Sequence, residues 1–188
     1  MKHLVIFASG AGSNAENIIT HFNNGSVANV VAVFTNNPNA GVIDRAKNHN
    51  VPVIIFTKDE LLSDVVLNKV RSFNPALIVL AGFLLKIPQH IINGFRGKII
   101  NVHPALLPKY GGRGMYGMNV HRAVLENNES ETGISIHYVD EHYDNGDLIF
   151  QARINVDDCV TPDEIAQRIH NLEHEHFPEV ISKIVTDK

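Results

Sequence analysis

Two hydrophobic textures alternate over the first hundred residues. Short apolar runs rich in Val and Ile occupy 4–8, 30–34, 53–56 and 77–81, the pattern of strands buried on both faces of a parallel sheet. Between them, 14–22, 42–49 and 60–73 carry apolar residues at helical spacing. The last of these follows Lys58 and Asp59, with acids suited to a first turn. Strand, helix, strand, helix in this order predicts a doubly wound sheet with right-handed crossovers.

The texture changes after a fifth apolar strand at 99–102. Tyr110 to Met118 reads YGGRGMYGM, with four glycines in nine residues, and has to be a loop. A helix follows at 120–126, then 133–139 and 148–156 alternate as longer strands of an antiparallel extension. Thr161-Pro162-Asp163-Glu164 supplies a capping Thr, a Pro at the first helical position and acids behind it. A long helix is expected from there toward Thr186, divided at Pro178. The fold class is therefore α/β: a single Rossmann-like domain over 1–188, its sheet doubly wound and mostly parallel, with an antiparallel carboxy-terminal extension and a long last helix.

Composition narrows the field. The 188 residues are 44% hydrophobic and 19% charged, with a formal net charge of -4, which suits one domain with a full core. Lys and Arg form no block that could neutralise successive phosphates, so no nucleic acid is expected as a partner. The longest apolar run, at 76–85, is about half of the roughly 20 residues needed to cross a bilayer, and the amino-terminal apolar stretch is too short for a signal-peptide core. No membrane is expected. Cys159 is the only cysteine, which excludes an intramolecular disulfide and a Cys-based metal site and fits a reducing cytoplasm.

Four stretches could carry chemistry. ASGAGSNAENI, 8–18, opens a helix with G-x-G-S-N, offering backbone N–H groups and the positive end of the dipole to an anion, with Ser13 and Asn14 as extra donors. A mononucleotide phosphate is the favoured reading beside a purely structural Gly turn. The dinucleotide fingerprint is incomplete, because its third Gly falls at Ala15 and no acid ends the second strand. NVHPALLPKYGG, 101–112, sets Asn101 and His103 on one side of a strand, either capping the strand end or facing a ligand. Ligands of open parallel sheets bind outside the carboxyl ends of the strands, where this pair lies. Pro104 and Pro108 stiffen the exit, and a cis Leu107–Pro108 bond is predicted.

HYVDEHYDNGD, 137–147, is a strand running into an acidic turn. If that turn folds back toward His103, Asp144 would raise the imidazole pKa from about 6.5 and keep the ring protonated at neutral pH. HNLEHEH, 170–176, sets His170 and His174 four apart on a helix. Without the H-E-x-x-H pattern a solvated face is the better reading, and no metal is expected.

Together these residues resemble the folate-dependent formyltransferases. NVHPALLP is similar to that family's N-[IV]-H-P-[SA]-L-L-P signature, and SIHYVDEHYDNGDLI, 135–149, resembles its second signature. SGAGSN, 9–14, and LAGFLLKI, 80–87, fall in the same order, so the resemblance covers nearly the whole chain. It implies the formyltransferase fold, with 1–100 as a mononucleotide-binding half and 101–188 as the catalytic and folate-loop half.

The same resemblance implies Asn101, His103 and Asp144 as the catalytic set. Gly12, Ser13 and Asn14 would hold the phosphate of a ribonucleotide, with Glu173 near its ribose. The folate would meet Lys58, Leu84, Leu85, Lys86, Ile87, Asn101, Val139 and Asp140, with 84–87 acting largely through backbone groups and the 139–144 loop closing the pterin pocket. The implied reaction moves the formyl group of 10-formyltetrahydrofolate, a co-substrate, to the amine of 5′-phosphoribosylglycinamide in purine synthesis, with no metal. Asn101 and a protonated His103 would meet the tetrahedral oxyanion. The implied partners are small molecules, with the chain a monomer or homodimer.

Two features depart from the family pattern. The loop from Gly111 to Met118 is longer than in many members, with Arg113 and Tyr116 as its candidate ligand contacts. After the third strand the family often presents an Arg; here the nearest base is Lys58, a point charge rather than a fork. Family members that formylate initiator methionyl-tRNA or deformylate the folate carry a further domain, which 188 residues would not hold. A nucleotide-binding module without catalysis would leave His103 and Asp144 apart.

Overall fold

The computed structural model describes residues 1–23, 25 and 27–187. Chain order is β1 (Lys2–Phe7), α1 (Ser13–Asn23), β2 (Ala28–Thr35), α2 (Val42–Asn48), β3 (Val53–Ile55), α3 (Lys58–Leu62), α4 (Asp64–Ser72), β4 (Leu77–Leu80), α5 (Gln89–Gly94), β5 (Ile99–His103), α6 (Met118–Glu126), β6 (Glu131–Tyr138), β7 (Leu148–Asn155) and α7 (Pro162–Thr186). The strands form one mostly parallel sheet in the order β3-β2-β1-β4-β5-β6-β7, the doubly wound α/β fold that the alternation predicts. The chain divides into two compact units, Met1–Ile100 with Pro178–Lys188, and Asn101–Phe177.

In the first unit β1 pairs in parallel with both β2 and β4, and β2 with β3. Leu4, Val5, Ile6 and Phe7 are fully buried, as a central strand requires. Phe7 stacks on Phe34 with ring centroids 5.0 Å apart and meets Phe56 and Phe83 edge-on; such pairs contribute about 0.5–1.5 kcal/mol each beyond their burial. Helix α1 buries Ala15, Ile18, Ile19 and Phe22, a single apolar stripe. From β1 the chain winds outward through β2 and β3, then returns to β4 on the other side of β1. The winding therefore reverses between β1 and β4, and the loops after these two strands lie at the switch point.

Several elements differ from their sequence expectation. β3 is an edge strand paired with β2 alone, so Ile55 is 50% exposed instead of covered on both faces. The helix expected over 60–73 is two helices. Thr57 caps α3 in a box with Glu60, while Ser63 takes an extended backbone and accepts from the Val65 N–H to cap α4. The capping preference of Ser interrupts an otherwise continuous periodicity. Helix α7 runs unbroken through Pro178; Val180, Ile181, Ile184 and Val185 beyond it are buried, and at about 1.5–3 kcal/mol per buried side chain they outweigh the roughly 3 kcal/mol helix cost of a Pro. Helix α5 was not expected; it follows Pro88 and buries Ile91 and Ile92.

In the second unit β6 and β7 pair antiparallel, from Glu131 opposite Asn155 onward. The Ser135 hydroxyl braces the segment leaving β5. It donates to the Ala105 carbonyl at 2.7 Å and accepts from the Leu107 N–H at 2.9 Å and from Gln151 Nε2 at 2.8 Å. The Leu107–Pro108 peptide bond is cis. At Gly146 a Cβ would overlap the Tyr138 carbonyl oxygen, so the β6–β7 connection needs a residue without one there.

Candidate active site

At the end of β1 the chain turns through Gly10 to Gly12. Gly12 has φ of +79°, and a Cβ on it would lie 2.5 Å from Val42 Cβ, so both conformation and space call for glycine. Its carbonyl accepts from the Glu16 N–H at 2.9 Å, starting α1 with Ser13 and Asn14 half-buried in the first turn. An anion at this turn meets the positive end of the helix dipole. Ser9, to which the sequence reading gave no role, ties the switch-point loops together. Its N–H donates to the Gly82 carbonyl at 3.1 Å, its hydroxyl donates to Asn36 Oδ1 at 2.7 Å, and the hydroxyl accepts from the Leu84 N–H at 3.0 Å. A hydroxyl at the buried end of an apolar strand was the signal.

In the second unit His103, Asp144 and Asn101 converge, with His137 as the link among them. His103 Nε2 lies 2.7 Å from the Tyr110 carbonyl oxygen. A carbonyl only accepts, so Nε2 carries the proton and the free lone pair of the neutral ring is on Nδ1. Nδ1 stands 3.6 Å from Asp144 Oδ2, just outside hydrogen-bond distance. The same Asp144 oxygen accepts from the Gly112 N–H at 3.0 Å. His137 Nδ1 donates to the Tyr138 carbonyl at 2.8 Å, which leaves its Nε2 to accept from Asn101 Nδ2 at 3.2 Å. Of the two N–H bonds on the Asn101 amide, one is thus held by His137 and the other meets no partner among the described residues.

Burial governs the charge states. His103 is 3% exposed, and its pKa lies below the ordinary histidine value, because loss of water outweighs the opposing effects of Asp144 and the Tyr110 carbonyl. The expected protonated resting ring is thereby corrected: a carboxylate at 3.6 Å does not offset near-complete desolvation. Burial pushes Asp144 upward, yet the His137 side chain, the charge that His103 carries once protonated and the Gly112 N–H together bring its pKa below the usual carboxylate value. The resting pair is therefore a neutral imidazole and a carboxylate.

The remaining predicted residues fall in either unit. Lys58 is exposed at the start of α3; Leu84 is 56% exposed, Leu85 is half-buried, Lys86 is exposed and Ile87 is buried, all in the loop after β4. Val139 and Asp140 are half-buried after β6, and Asp140 Oδ1 accepts from the His142 N–H at 2.8 Å. Glu173 on α7 lies 3.7 Å from His170 Nδ1, and its charge is felt by both His103 and His121. Arg113 and Tyr116 are exposed. The sequence reading missed His137 and Ser135. Both are polar positions two apart in a strand whose neighbours Ile134 and Ile136 are buried, a break in apolar character that a period-2 reading exposes. Among the described residues no group of three or more His, Cys, Asp or Glu is arranged to hold a metal ion, and no helix is long and apolar enough to cross a membrane.

A buried imidazole between a carbonyl and a carboxylate, beside a carboxamide at the carboxyl end of β5, sets this chain among α/β proteins with a polar site at the end of a doubly wound sheet. The chain belongs to the formyl transferase family, which matches residues 2–181. It is 37% identical over 194 residues to a protein of Arabidopsis thaliana named phosphoribosylglycinamide formyltransferase, chloroplastic, spanning 100% of this chain and 66% of that one. With the phosphoribosylglycinamide formyltransferase of Bacillus subtilis (strain 168) it shares 35% identity over 191 residues, 98% of this chain and 95% of the relative. The crystal structure of phosphoribosylglycinamide formyltransferase from Anaplasma phagocytophilum matches with a TM-score of 0.91 at 28% identity, covering 100% of this chain and 88% of that one.

Proposed function

We propose that this protein transfers the formyl group of 10-formyltetrahydrofolate to the amine of 5′-phosphoribosylglycinamide, in the cytoplasm, as a step of purine synthesis. The observation that carries the reading is the His103 ring, with Nε2–H committed to the Tyr110 carbonyl and basic Nδ1 facing Asp144 across 3.6 Å. The amine attacks the formyl carbon, giving a tetrahedral centre with an oxyanion and a cationic nitrogen. The free Asn101 N–H donates to that oxyanion, a contribution typically worth 10²- to 10³-fold in rate. His103 Nδ1 takes the proton from the cationic nitrogen as general base.

The imidazolium so formed satisfies both of its flanking acceptors, the Tyr110 carbonyl and the Asp144 carboxylate, and its Nδ1–H then passes to the departing folate nitrogen. The proton is conserved, and the oxyanion collapses to the new formamide as the old C–N bond breaks. Gly12, Ser13 and Asn14 would hold the ribonucleotide phosphate and Glu173 would accept from ribose hydroxyls. Lys58, the 84–87 stretch, Val139 and Asp140 would serve the folate. The substrates are small molecules, and the chain would act as a monomer or homodimer. The names of the relatives and the family signatures support this reading.

The test offers phosphoribosylglycinamide with 10-formyltetrahydrofolate in one reaction and with formate and ATP in another. Formylated ribonucleotide only with the folate is expected. Release of formate from the folate without any formylated ribonucleotide would assign water, not the amine, as acceptor and overturn the proposal.

A further inference from the structure

The loop at 110–118, whose role the sequence left open, is tied to the catalytic set at its first residues. The Tyr110 carbonyl accepts from His103 and the Gly112 N–H donates to Asp144. Tyr110 holds that carbonyl in place with a backbone in the left-handed region, φ +54°, a conformation that costs a non-glycine residue free energy. Something must secure it, and the side chain does. The Tyr110 hydroxyl donates to Glu129 Oε1 at 2.8 Å, and Lys109 Nζ donates to the same carboxylate at 2.9 and 3.2 Å. From the segment between α6 and β6, Glu129 thus grips the first residue of the loop, Tyr110, and Lys109 just before it.

We propose that Glu129, through the Tyr110 hydroxyl, is a positioning residue that fixes which nitrogen of His103 carries the proton. A neutral imidazole has one N–H and here two acceptors, the Tyr110 carbonyl at Nε2 and Asp144 at Nδ1. The carbonyl at 2.7 Å holds the proton on Nε2 and leaves Nδ1 basic. Once the carbonyl drifts, the Asp144 carboxylate draws the proton to Nδ1, and the ring meets the amine with an N–H where the reaction needs a lone pair. Loss of the correct tautomer is a recognised way to disable a catalytic histidine whose surroundings stay in place. Tyr110 has its pKa pushed up to about 12 by burial and by the hydrogen bond to Glu129, so its hydroxyl remains a donor throughout the working pH range.

The kinetic half of this proposal rests on the formyl-transfer reading; the tautomer half does not. The test labels histidine nitrogen with ¹⁵N and records the His103 tautomer by long-range ¹H–¹⁵N correlation at pH 8 in wild type, Tyr110→Phe, Glu129→Ala and Glu129→Gln. Wild type is expected as Nε2–H. Tyr110→Phe and Glu129→Ala should move the ring toward Nδ1–H and lower kcat by about threefold to tenfold, the equilibrium weight of one hydrogen bond, with KM for both substrates unchanged. Glu129→Gln retains an acceptor oxygen and should restore both readouts. The same Nε2–H tautomer in all four proteins would overturn the proposal, as would a tautomer shift that leaves kcat untouched. Wild type with no formyl-transfer activity but the expected tautomer series would refute the reaction and leave the clamp standing.

Discussion

Asn101 and Gly12 show how much of this molecule is decided one residue at a time. The Asn101 amide has its orientation set by His137, whose own tautomer is fixed by the Tyr138 carbonyl. On the proposed mechanism Asn101→Ala removes the oxyanion's donor, and turnover is expected to fall by about 10²- to 10³-fold, read as kcat with ribonucleotide KM within a few fold. His137→Phe should reproduce part of that loss, because the amide then turns freely; unchanged kcat would show that His137 does not orient it. Gly12→Ala faces both a φ of +79° and Val42 Cβ at 2.5 Å. A loss of ribonucleotide affinity greater than any loss of kcat is expected, measured by calorimetric titration of the ribonucleotide onto the variant.

At the scale of elements, caps decide where the helices break. Ser63 ends α3 and begins α4 in one residue, so Ser63→Ala should cost about 1 kcal/mol, the usual worth of an N-cap; urea unfolding at neutral pH measures it, and an unchanged midpoint would remove the cap from the account. The same residue explains a limit of the sequence reading. Periodicity over 60–73 is continuous in apolar spacing, and a serine within it reads equally well as a surface position. The strands of the first unit were legible because central β-strands advertise burial on both faces, as Leu4 to Phe7 do. Edge status was not, since Val53 to Ile55 is just as apolar and only the pairing partner distinguishes it. In the site, strand phase singled out Asn101 and His103, while Asp144 came from the acidic turn and the family resemblance. The proton states were not legible. A carboxylate expected beside the ring suggested a charged His103, and burial, which a sequence does not display, pushes its pKa the other way.

For the whole molecule, buried histidines link stability to pH. His103 and His121 both have pKa values below the ordinary histidine value, with burial as the first cause. The unfolded chain binds their protons near pH 6.5 while the folded chain resists. The stability from the neutral rings is complete above that value and is lost as pH falls through it toward the folded pKa values. The urea midpoint should therefore drop between pH 7.5 and 5.5 with little change in slope. A midpoint that rises on acidification would contradict the burial-dominated reading. Asp144, also lowered, adds a loss of the same sign at still lower pH.

The central claim is that His103 Nδ1 moves the proton of formyl transfer with Asp144 behind it, and the most direct measurement is steady-state kinetics of His103→Ala and Asp144→Asn with phosphoribosylglycinamide and 10-formyltetrahydrofolate. Each variant is expected to lose at least about a hundredfold in kcat, the lower range for a proton-transfer group, while the KM for ribonucleotide stays within a few fold. Near-normal turnover in either variant would contradict the assignment of that residue.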